Sequence, residues 1–239
     1  PTQEQLKEMD VVLLDIQDVG VRFYTYISTL TYLMEAAAEN NIEVIVLDRP
    51  NPHDGYTDGP VLKKKWTSFV GMHEVPVVYG LTIGEYGKMV NGEKWLKNGV
   101  QAKYTLIPMK NYHKMLRYQI SDKPSPNLPN DKAINLYPSL CFFEGTQVSV
   151  GRGTDLPFQI YGSPWTKNLP YQFTPKPSAG AKDPFLNGKL CYGENLSDYR
   201  KDLRELNLDW VIKAYKNYKN PDLDFFLKPT TGSNLWFDT

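Results

Sequence analysis

The sequence predicts an α/β protein in which a parallel sheet is followed by a second, turn-rich half. Two apolar runs, residues 11–14 and 44–47, each end in an acid and flank a stretch of helical periodicity at residues 29–40. A strand, a helix and a strand in this order predict a right-handed crossover between parallel strands. Closely spaced prolines at residues 124–129 then mark a change of character.

Each further element of the first half follows from a local pattern. Residues 11–14 (VVLL) are a continuous β-branched and aliphatic run, which predicts a strand buried on both faces. Thr82 and Glu85 have the spacing of a capping box, which predicts a helix from there to about residue 96. Residues 103–109 predict another strand.

These patterns divide the chain into an α/β subdomain at residues 1–118 and an α+β subdomain at residues 119–239. The second half is rich in glycine, proline and asparagine, which is typical of turns. A final amphipathic helix is predicted at residues 208–218, and its buried side is expected to carry four apolar residues. These are Val211, Ile212, Tyr215 and Tyr218.

Composition excludes several classes of function. The chain has 239 residues, of which 41% are hydrophobic, and its 27 basic residues balance 27 acidic ones. This balance argues against a nucleic-acid partner. No apolar run approaches the roughly 18 residues of a membrane span, and no signal peptide is visible in the chain. The oligomeric state is not predicted.

Motifs for common cofactors and hydrolytic triads are missing. Only Gly20 follows the first strand, where a dinucleotide fingerprint needs three glycines. The two cysteines, Cys141 and Cys191, have no histidines at metal-ligand spacing. No serine lies in G-x-S-x-G, and His53 falls in a polar loop, where a solvated side chain is expected.

Charged side chains follow the two apolar strands of the predicted crossover. Asp15, Asp18 and Arg22 come after the first strand, and Asp48 and Arg49 come after the second. Ligands of open α/β sheets bind outside the carboxyl ends of the strands, so this pattern favours a site. Two alternatives stay open: that Asp15 and Asp48 only cap the next elements while Arg22 or Arg49 pairs with them, and that Asp15 and Asp18 bind a magnesium ion.

Glu144 is a candidate general acid in the second half. Two phenylalanines precede it and a glycine follows it, and apolar surroundings favour the protonated carboxyl that a general acid requires. Glycosidic cleavage needs such an acid together with a second group that supports positive charge or activates water. The alternative is that Glu144 pairs with Arg152 in a turn.

Four blocks of sequence resemble the NamZ-type family of bacterial exo-β-N-acetylmuramidases, in the same order and across nearly the whole chain. They are residues 15–26 (DIQDVGVRFYTY), 48–52 (DRPNP), 124–127 (PSPN), and 143–146 (FEGT) followed by 151–154 (GRGT). The resemblance implies a Rossmann-like parallel-sheet subdomain and a smaller partner, with the active cleft between them. It also implies removal of N-acetylmuramic acid from the non-reducing end of peptidoglycan fragments, outside the cytoplasm.

One departure from the family bears on catalysis. Family members extend upstream through a block in which a glutamate precedes a histidine and a glycine, and this chain begins after that block. The upstream part of the family fold is therefore expected to be absent here.

The sequence thus predicts a muramidase-type glycoside hydrolase that acts on muramyl saccharides and needs no cofactor. Its expected catalytic carboxylates are Glu144, Asp15 and Asp18. The residues expected to hold the sugar or line the cleft are Arg22, Tyr24, Asp48, Arg49, Asn51, Asn127 and Arg152. Two rivals stay open, a non-catalytic glycan-binding module or incomplete fragment, and a metal-dependent hydrolase.

Overall fold

The computed structural model describes residues 3–114, 116, 118–199 and 203–227. The chain divides into two units, Pro1–Tyr118 and Gln119–Thr239. The first unit contains a parallel sheet and the second contains an antiparallel one, so the fold is mixed α/β as the sequence predicts.

In the first unit three parallel strands lie in the order β1-β2-β3. Its regular elements are α1 (Gln3–Leu6), β1 (Val11–Leu14), α2 (Tyr26–Glu39), β2 (Glu43–Leu47), α3 (Ile83–Gly92) and β3 (Lys103–Ile107), with short 3-10 turns at Lys64–Trp66 and Lys97–Gly99. From β1 to β3 the order of strands and helices is the predicted one, and the boundaries of the strands agree to within two residues, whereas α1 was not predicted.

Helix α3 begins where the capping box predicts and ends earlier than expected. The Thr82 hydroxyl accepts a hydrogen bond from the amide of Glu85 at 3.1 Å, and the Glu85 carboxylate accepts one from the amide of Thr82 at 3.0 Å. At the other end Lys94 adopts a positive φ of 57°, and the amide of Trp95 closes the turn on the carbonyl of Val90. A left-handed residue of this kind ends a helix, so α3 stops four residues before position 96.

The prediction that β1 is buried on both faces is wrong. Helices α2 and α3 pack with one face of the sheet in a single hydrophobic cluster, which includes Leu14, Val44 and Val46. On the other face the side chains of Val11 and Leu13 are 40% and 63% exposed. A continuous apolar run is typical of a strand that is covered by helices on both faces of its sheet. Whether helices cover the second face depends on how they pack, which the run itself does not indicate.

Among its described residues, the second unit combines a small sheet with two helices. Its elements are α4 (Asp131–Leu140), a 3-10 turn (Cys141–Gly145), β4 (Ile160–Ser163), β5 (Tyr171–Phe173), β6 (Cys191–Asn195) and α5 (Asp209–Asn217), and the sheet is antiparallel in the order β4-β6-β5. None of the described helices is long and apolar enough to cross a bilayer.

Helix α5 lies where the final helix is predicted but buries a different side. Its buried residues are Trp210, Val211 and Ala214. Ile212 and Tyr215 are 48% and 58% exposed, so the predicted buried side is wrong for them. The large Trp210 belongs to the buried stripe, which therefore lies one position earlier along the helix than predicted.

Candidate active site

The carboxyl ends of all three parallel strands border a cleft of about 430 Å³. Its lining comes from the last residue of β2, Leu47, and from the segments that follow the strands: Asp15 after β1, residues 48–50 after β2, and residues 109–112 with Leu116 and Tyr118 after β3. This is the edge at which open α/β sheets bind ligands. The volume lies within the range of small-molecule sites.

Asp15 and Arg49 form an ion pair at the cleft. The Nε of Arg49 lies 2.5 Å from the Oδ1 of Asp15, and both side chains are partly exposed, at 44% and 43%. The hydrogen bond from Arg49 lowers the pKa of Asp15. Asp15 is therefore ionised at neutral pH, and both charged groups are accessible from the cleft.

Asp48 lines the same cleft and also binds the start of α3. Its carboxylate accepts hydrogen bonds from the Thr82 hydroxyl at 2.7 Å and from the amide of Gly84 at 2.9 Å. A Cβ atom on Gly84 would lie 2.8 Å from this carboxylate, so glycine permits the close approach. Burial raises the pKa of Asp48, while these hydrogen bonds act in the opposite direction. Asp48 thus binds the start of a helix, but this helix is α3 and not the next element along the chain, which the capping alternative named.

Asp18 differs from Asp15 because it is buried. It is only 4% exposed, and its Oδ2 accepts hydrogen bonds from the Tyr79 hydroxyl and, at 2.7 Å, from the amide of Gly20. Its Oδ1 is buried without a hydrogen-bond partner. Burial raises the pKa of Asp18 to about 6, against the effect of these hydrogen bonds. Asp18 is thus a carboxyl that takes up a proton close to neutral pH.

Asn51, in the loop after β2, lies directly against Gly20, in the loop after β1. The Asn51 side chain donates to the carbonyl of Leu81 and accepts from the amide of His53, both at 2.8 Å. Gly20 has a φ of 72°, and a Cβ atom there would lie 1.9 Å from the Asn51 Oδ1. Asn51 is 4% exposed, so it connects main-chain segments rather than lining the described cleft.

The expectation that His53 is solvated is wrong. Its side chain is 1% exposed, and its Nδ1 lies 2.7 Å from the carbonyl of Val19. The polar loop that carries His53 folds back onto the segment after β1, and the ring is buried there.

Arg22 is a buried arginine that binds main-chain carbonyls. It is 8% exposed, and its Nη1 donates to the carbonyls of Pro60 at 2.8 Å and Val75 at 2.5 Å. Burial lowers the pKa of Arg22 to about 10. These contacts tie together the two ends of the segment between Pro60 and Val75.

Tyr24 is half-buried and packs edge-on against Tyr26, with ring centres 4.8 Å apart. Burial raises its pKa above the ordinary value, and a hydrogen bond with Tyr26 adds to that effect. Its hydroxyl therefore stays protonated at physiological pH.

In the second unit Glu144 is part of a polar cluster. Its Oε1 lies 2.7 Å from the Nε of Arg152, and its Oε2 accepts from the thiol of Cys141 at 3.3 Å. The Arg152 guanidinium also lies over the ring of Phe158, 4.8 Å from its centre. Burial acts to lower the pKa of Arg152, but the charge and hydrogen bond of Glu144 together with nearby Cys141 and Tyr137 outweigh it, so that pKa is raised. The ion pair with Arg152, which the sequence analysis gave as the alternative for Glu144, is present. The catalytic role of Glu144 stays a prediction.

Asn127 supports a turn of the second unit. Its amide donates to the carbonyl of Gly180 at 2.9 Å, and its main-chain N–H donates to the hydroxyl of Ser125 at 3.2 Å. The side-chain amide of Asn127 thus binds a main-chain carbonyl 53 residues further along the chain.

The segment after β3 contributes residues that the sequence analysis missed. Lys110 and Tyr112 line the cleft, and the Tyr112 hydroxyl donates to Asp54 and accepts from the amide of Asn51 at 3.4 Å. The rule that pointed to the loops after β1 and β2 applies equally to the loop after the third predicted strand.

Within the part of the chain that the structure describes, Asp15 and Asp18 do not belong to a group of side chains that could hold a metal ion. Within the residues that the structure describes, no three His, Cys, Asp or Glu side chains are grouped so that they could hold a metal ion. Asp15 pairs with an arginine and Asp18 is buried beside a tyrosine, so the two acids occupy separate environments.

Fold and cleft together define an α/β protein with a charged cleft at the carboxyl edge of its parallel sheet. Residues 1–132 match the family described as exo-beta-N-acetylmuramidase NamZ, N-terminal, and residues 135–238 match the corresponding C-terminal family. The chain belongs to the NamZ family, as its sequence blocks indicate.

One curated relative and two solved structures are similar to the chain. The peptidoglycan beta-N-acetylmuramidase NamZ of Bacillus subtilis (strain 168) is 42% identical over 179 residues, which are 73% of this chain and 42% of the relative. A DUF1343 family protein from Bacteroides fragilis NCTC 9343 superimposes with a TM-score of 0.91 at 48% identity, covering 95% of this chain and 65% of that one. A second DUF1343 family protein of the same organism gives a TM-score of 0.75 at 31% identity, covering 91% and 60%. The chain thus spans less than two thirds of the length of each.

Proposed function

We propose that this chain belongs to a glycoside hydrolase that removes N-acetylmuramic acid from the non-reducing end of peptidoglycan fragments, outside the cytoplasm. Membership of the NamZ family supports the proposal, as does the 42% identity to a protein named as a peptidoglycan beta-N-acetylmuramidase. The observation that carries it is the cleft in which Asp15 and Arg49 offer opposite charges side by side.

Arg49 is the proposed partner of the sugar's lactyl carboxylate. A guanidinium binds a carboxylate through two parallel hydrogen bonds, and Arg49 lines the cleft with an exposed side chain. Because exposed ion pairs contribute only about 0–1 kcal/mol, a substrate carboxylate can share or replace Asp15 on this arginine at little cost.

Asp15 is the proposed catalytic carboxylate of the first unit. It alone among the three predicted catalytic acids lines the described cleft, and it is ionised at neutral pH. An ionised carboxylate beside the anomeric carbon either stabilises the oxocarbenium-like transition state or activates water.

Glu144 remains the proposed proton donor. It lies in the polar cluster with Arg152 and Cys141 and is only partly exposed. Proton donation to the leaving oxygen requires a carboxyl that is protonated when the sugar is bound.

Asp18 is proposed as a positioning residue. It binds the amide of Gly20 and the hydroxyl of Tyr79 from a buried position, so it orders the loop that carries Asp15 rather than contacting sugar. Arg22, Asn51 and Asn127 likewise bind main-chain groups and are proposed to shape their loops.

Release of free N-acetylmuramic acid from a disaccharide with this sugar at its non-reducing end tests the proposal. We expect release from that disaccharide and none from the isomer that begins with N-acetylglucosamine. Binding of the disaccharide without release would instead assign the chain to the glycan-binding alternative. Loss of release after treatment with a chelator would favour the metal-dependent alternative.

A further inference from the structure

Residues 61–74, here called the basic loop, form a loop that is closed at its base. The amide of Leu62 donates to the carbonyl of Val75 at 3.2 Å. The buried Arg22 reinforces this closure, because its Nη1 binds the carbonyls of both Pro60 and Val75. The two ends of the loop are thus held together by three hydrogen bonds to main-chain carbonyls.

The interior of the basic loop is also anchored. Ser68 and Gly71 exchange main-chain hydrogen bonds of 2.8 and 3.0 Å across a turn. His73 lies 2.9 Å from the Tyr86 hydroxyl and stacks on Trp95, with ring centres 5.5 Å apart. These contacts give the loop a defined shape.

The outer surface of the basic loop combines positive charge with exposed rings. Lys63, Lys64 and Lys65 are consecutive and exposed, in a chain whose net charge is zero. Trp66 is 36% exposed, with the Lys65 ammonium 4.8 Å from its ring centre. Such a combination suits a ligand that has both negative charges and flat apolar faces.

A second aromatic feature adjoins the tip of the loop. Phe69 stacks on Tyr32 of α2 with ring centres 5.7 Å apart and planes inclined by 13°, although the two rings are 44% and 49% exposed. Exposed large rings that are already stacked lose little conformational entropy when a ligand covers them. None of the residues of this surface lines the cleft.

We propose that the basic loop, together with Tyr32, binds a carboxylate-bearing glycan strand at a site separate from the cleft. This inference rests on the proposed function, because peptidoglycan is such a strand. The lysines would pair with carboxylates along the polymer, and the rings would pack on sugar faces.

The layout of the surface favours a glycan over a lipid bilayer. Thr67 and Ser68 lie between Trp66 and Phe69, and one face of Phe69 is covered by Tyr32. The exposed rings therefore do not form a continuous apolar wedge that could enter a hydrocarbon layer.

Sedimentation with purified peptidoglycan sacculi tests the site. The variant Lys63→Gln/Lys64→Gln/Lys65→Gln is expected to bind sacculi about tenfold more weakly than the unchanged chain, because tenfold is about 1.4 kcal/mol and thus about 0.5 kcal/mol for each of three exposed ion pairs. The matched control is Lys88→Gln/Lys94→Gln/Lys103→Gln, which removes the same charge from exposed positions elsewhere in the first unit. The control is expected to bind as the unchanged chain does.

Two further measurements identify the chemistry. Sacculi whose carboxylates have been converted to amides should bind the unchanged chain as weakly as native sacculi bind the triple variant. Trp66→Ala should weaken binding to native and amidated sacculi alike, since ring packing does not depend on the carboxylates.

Equal sacculus binding by the triple variant and its control would overturn the inference. Binding of the unchanged chain to phosphatidylglycerol vesicles as strongly as to sacculi would also overturn it, in favour of a membrane surface. Release of N-acetylmuramic acid from the soluble disaccharide is measured separately, because the disaccharide is too short to need the basic loop. A failure of the loop and a failure of the proposed enzyme activity are therefore distinguishable.

Discussion

The pairs Asp15–Arg49 and Glu144–Arg152 have the same chemistry in different surroundings. Each joins an arginine Nε to a carboxylate, at 2.5 and 2.7 Å. The first pair lines a cleft with both side chains more than 40% exposed, whereas Arg152 and Glu144 are 34% and 28% exposed and have further contacts with Phe158 and Cys141. An exposed pair can exchange partners with a ligand, and a more buried pair with additional contacts costs more to separate.

The substitution with the largest expected effect is Glu144→Gln, which tests whether the more buried pair takes part in catalysis. The glutamine keeps an oxygen that can accept the bond from Arg152 but has no acidic proton to transfer to the leaving oxygen. We therefore expect kcat to fall about 10²- to 10⁴-fold with folding intact. Steady-state kinetics on a chromogenic N-acetylmuraminide, with a thermal melt of each variant, provide the measurement.

The control for this substitution is Glu194→Gln. Glu194 is also a partly buried carboxylate of the second unit, and it pairs with Lys213 at 2.5 Å. Its loss should leave kcat unchanged. Turnover of Glu144→Gln at the level of the unchanged chain would restrict Glu144 to holding Arg152.

A second test concerns Asp18, which is buried, whereas its neighbour Asp15 is exposed. Burial raises the pKa of Asp18 from 3.8 to about 6, so the folded chain binds this proton more tightly than the unfolded chain does. The contribution of Asp18 to the free energy of unfolding therefore falls as the pH rises from about 4 to 6 and is smallest above pH 6. His73 has its pKa lowered from 6.5 to about 4, so its contribution rises over nearly the same window. Each effect amounts to roughly 3 kcal/mol, and the two oppose each other.

Asp18→Asn separates these effects. Between pH 4 and pH 7 we expect the free energy of unfolding of Asp18→Asn to rise by roughly 3 kcal/mol relative to that of the unchanged chain. Urea denaturation at both pH values measures the difference. Parallel pH profiles for the two proteins would show that Asp18 does not titrate in this window.

The smallest expected effect concerns the exposed pair. Arg49→Gln removes a bidentate partner, so the dissociation constant for N-acetylmuramic acid should rise about tenfold while that for its uncharged methyl ester stays the same. Titration calorimetry measures both constants, and Lys103→Gln removes one positive charge elsewhere as the control. An equal loss for acid and ester would mean that Arg49 does not recognise the carboxylate.

Local patterns predicted the elements that depend on local interactions. The capping box of Thr82 and Glu85 forms with both hydrogen bonds because its groups lie within one helical turn. The grouping of Asp15, Asp48 and Arg49 at one cleft was also predictable, because parallel strands deliver the residues that follow them to one edge. The predicted cleft between the two subdomains stays a prediction.

Burial was predicted less well, since it depends on distant segments. The open face at Leu13 and the buried ring of His53 both differ from expectation. Arg22 was expected to hold a sugar, and its bonds to Pro60 and Val75 depend on a loop whose path no local pattern indicates.

The sequence by itself determined the order of elements from β1 to β3, the family, and that Asp15, Asp48 and Arg49 reach the carboxyl edge of the sheet, because periodicity, caps and motifs are encoded within short stretches. Only the tertiary structure decided which of those charges are accessible. Asp15 and Asp18 are three residues apart, yet one is ionised at a cleft and the other is buried with its pKa raised to about 6. Desolvation depends on every segment that packs around a group, and those segments come from distant parts of the chain.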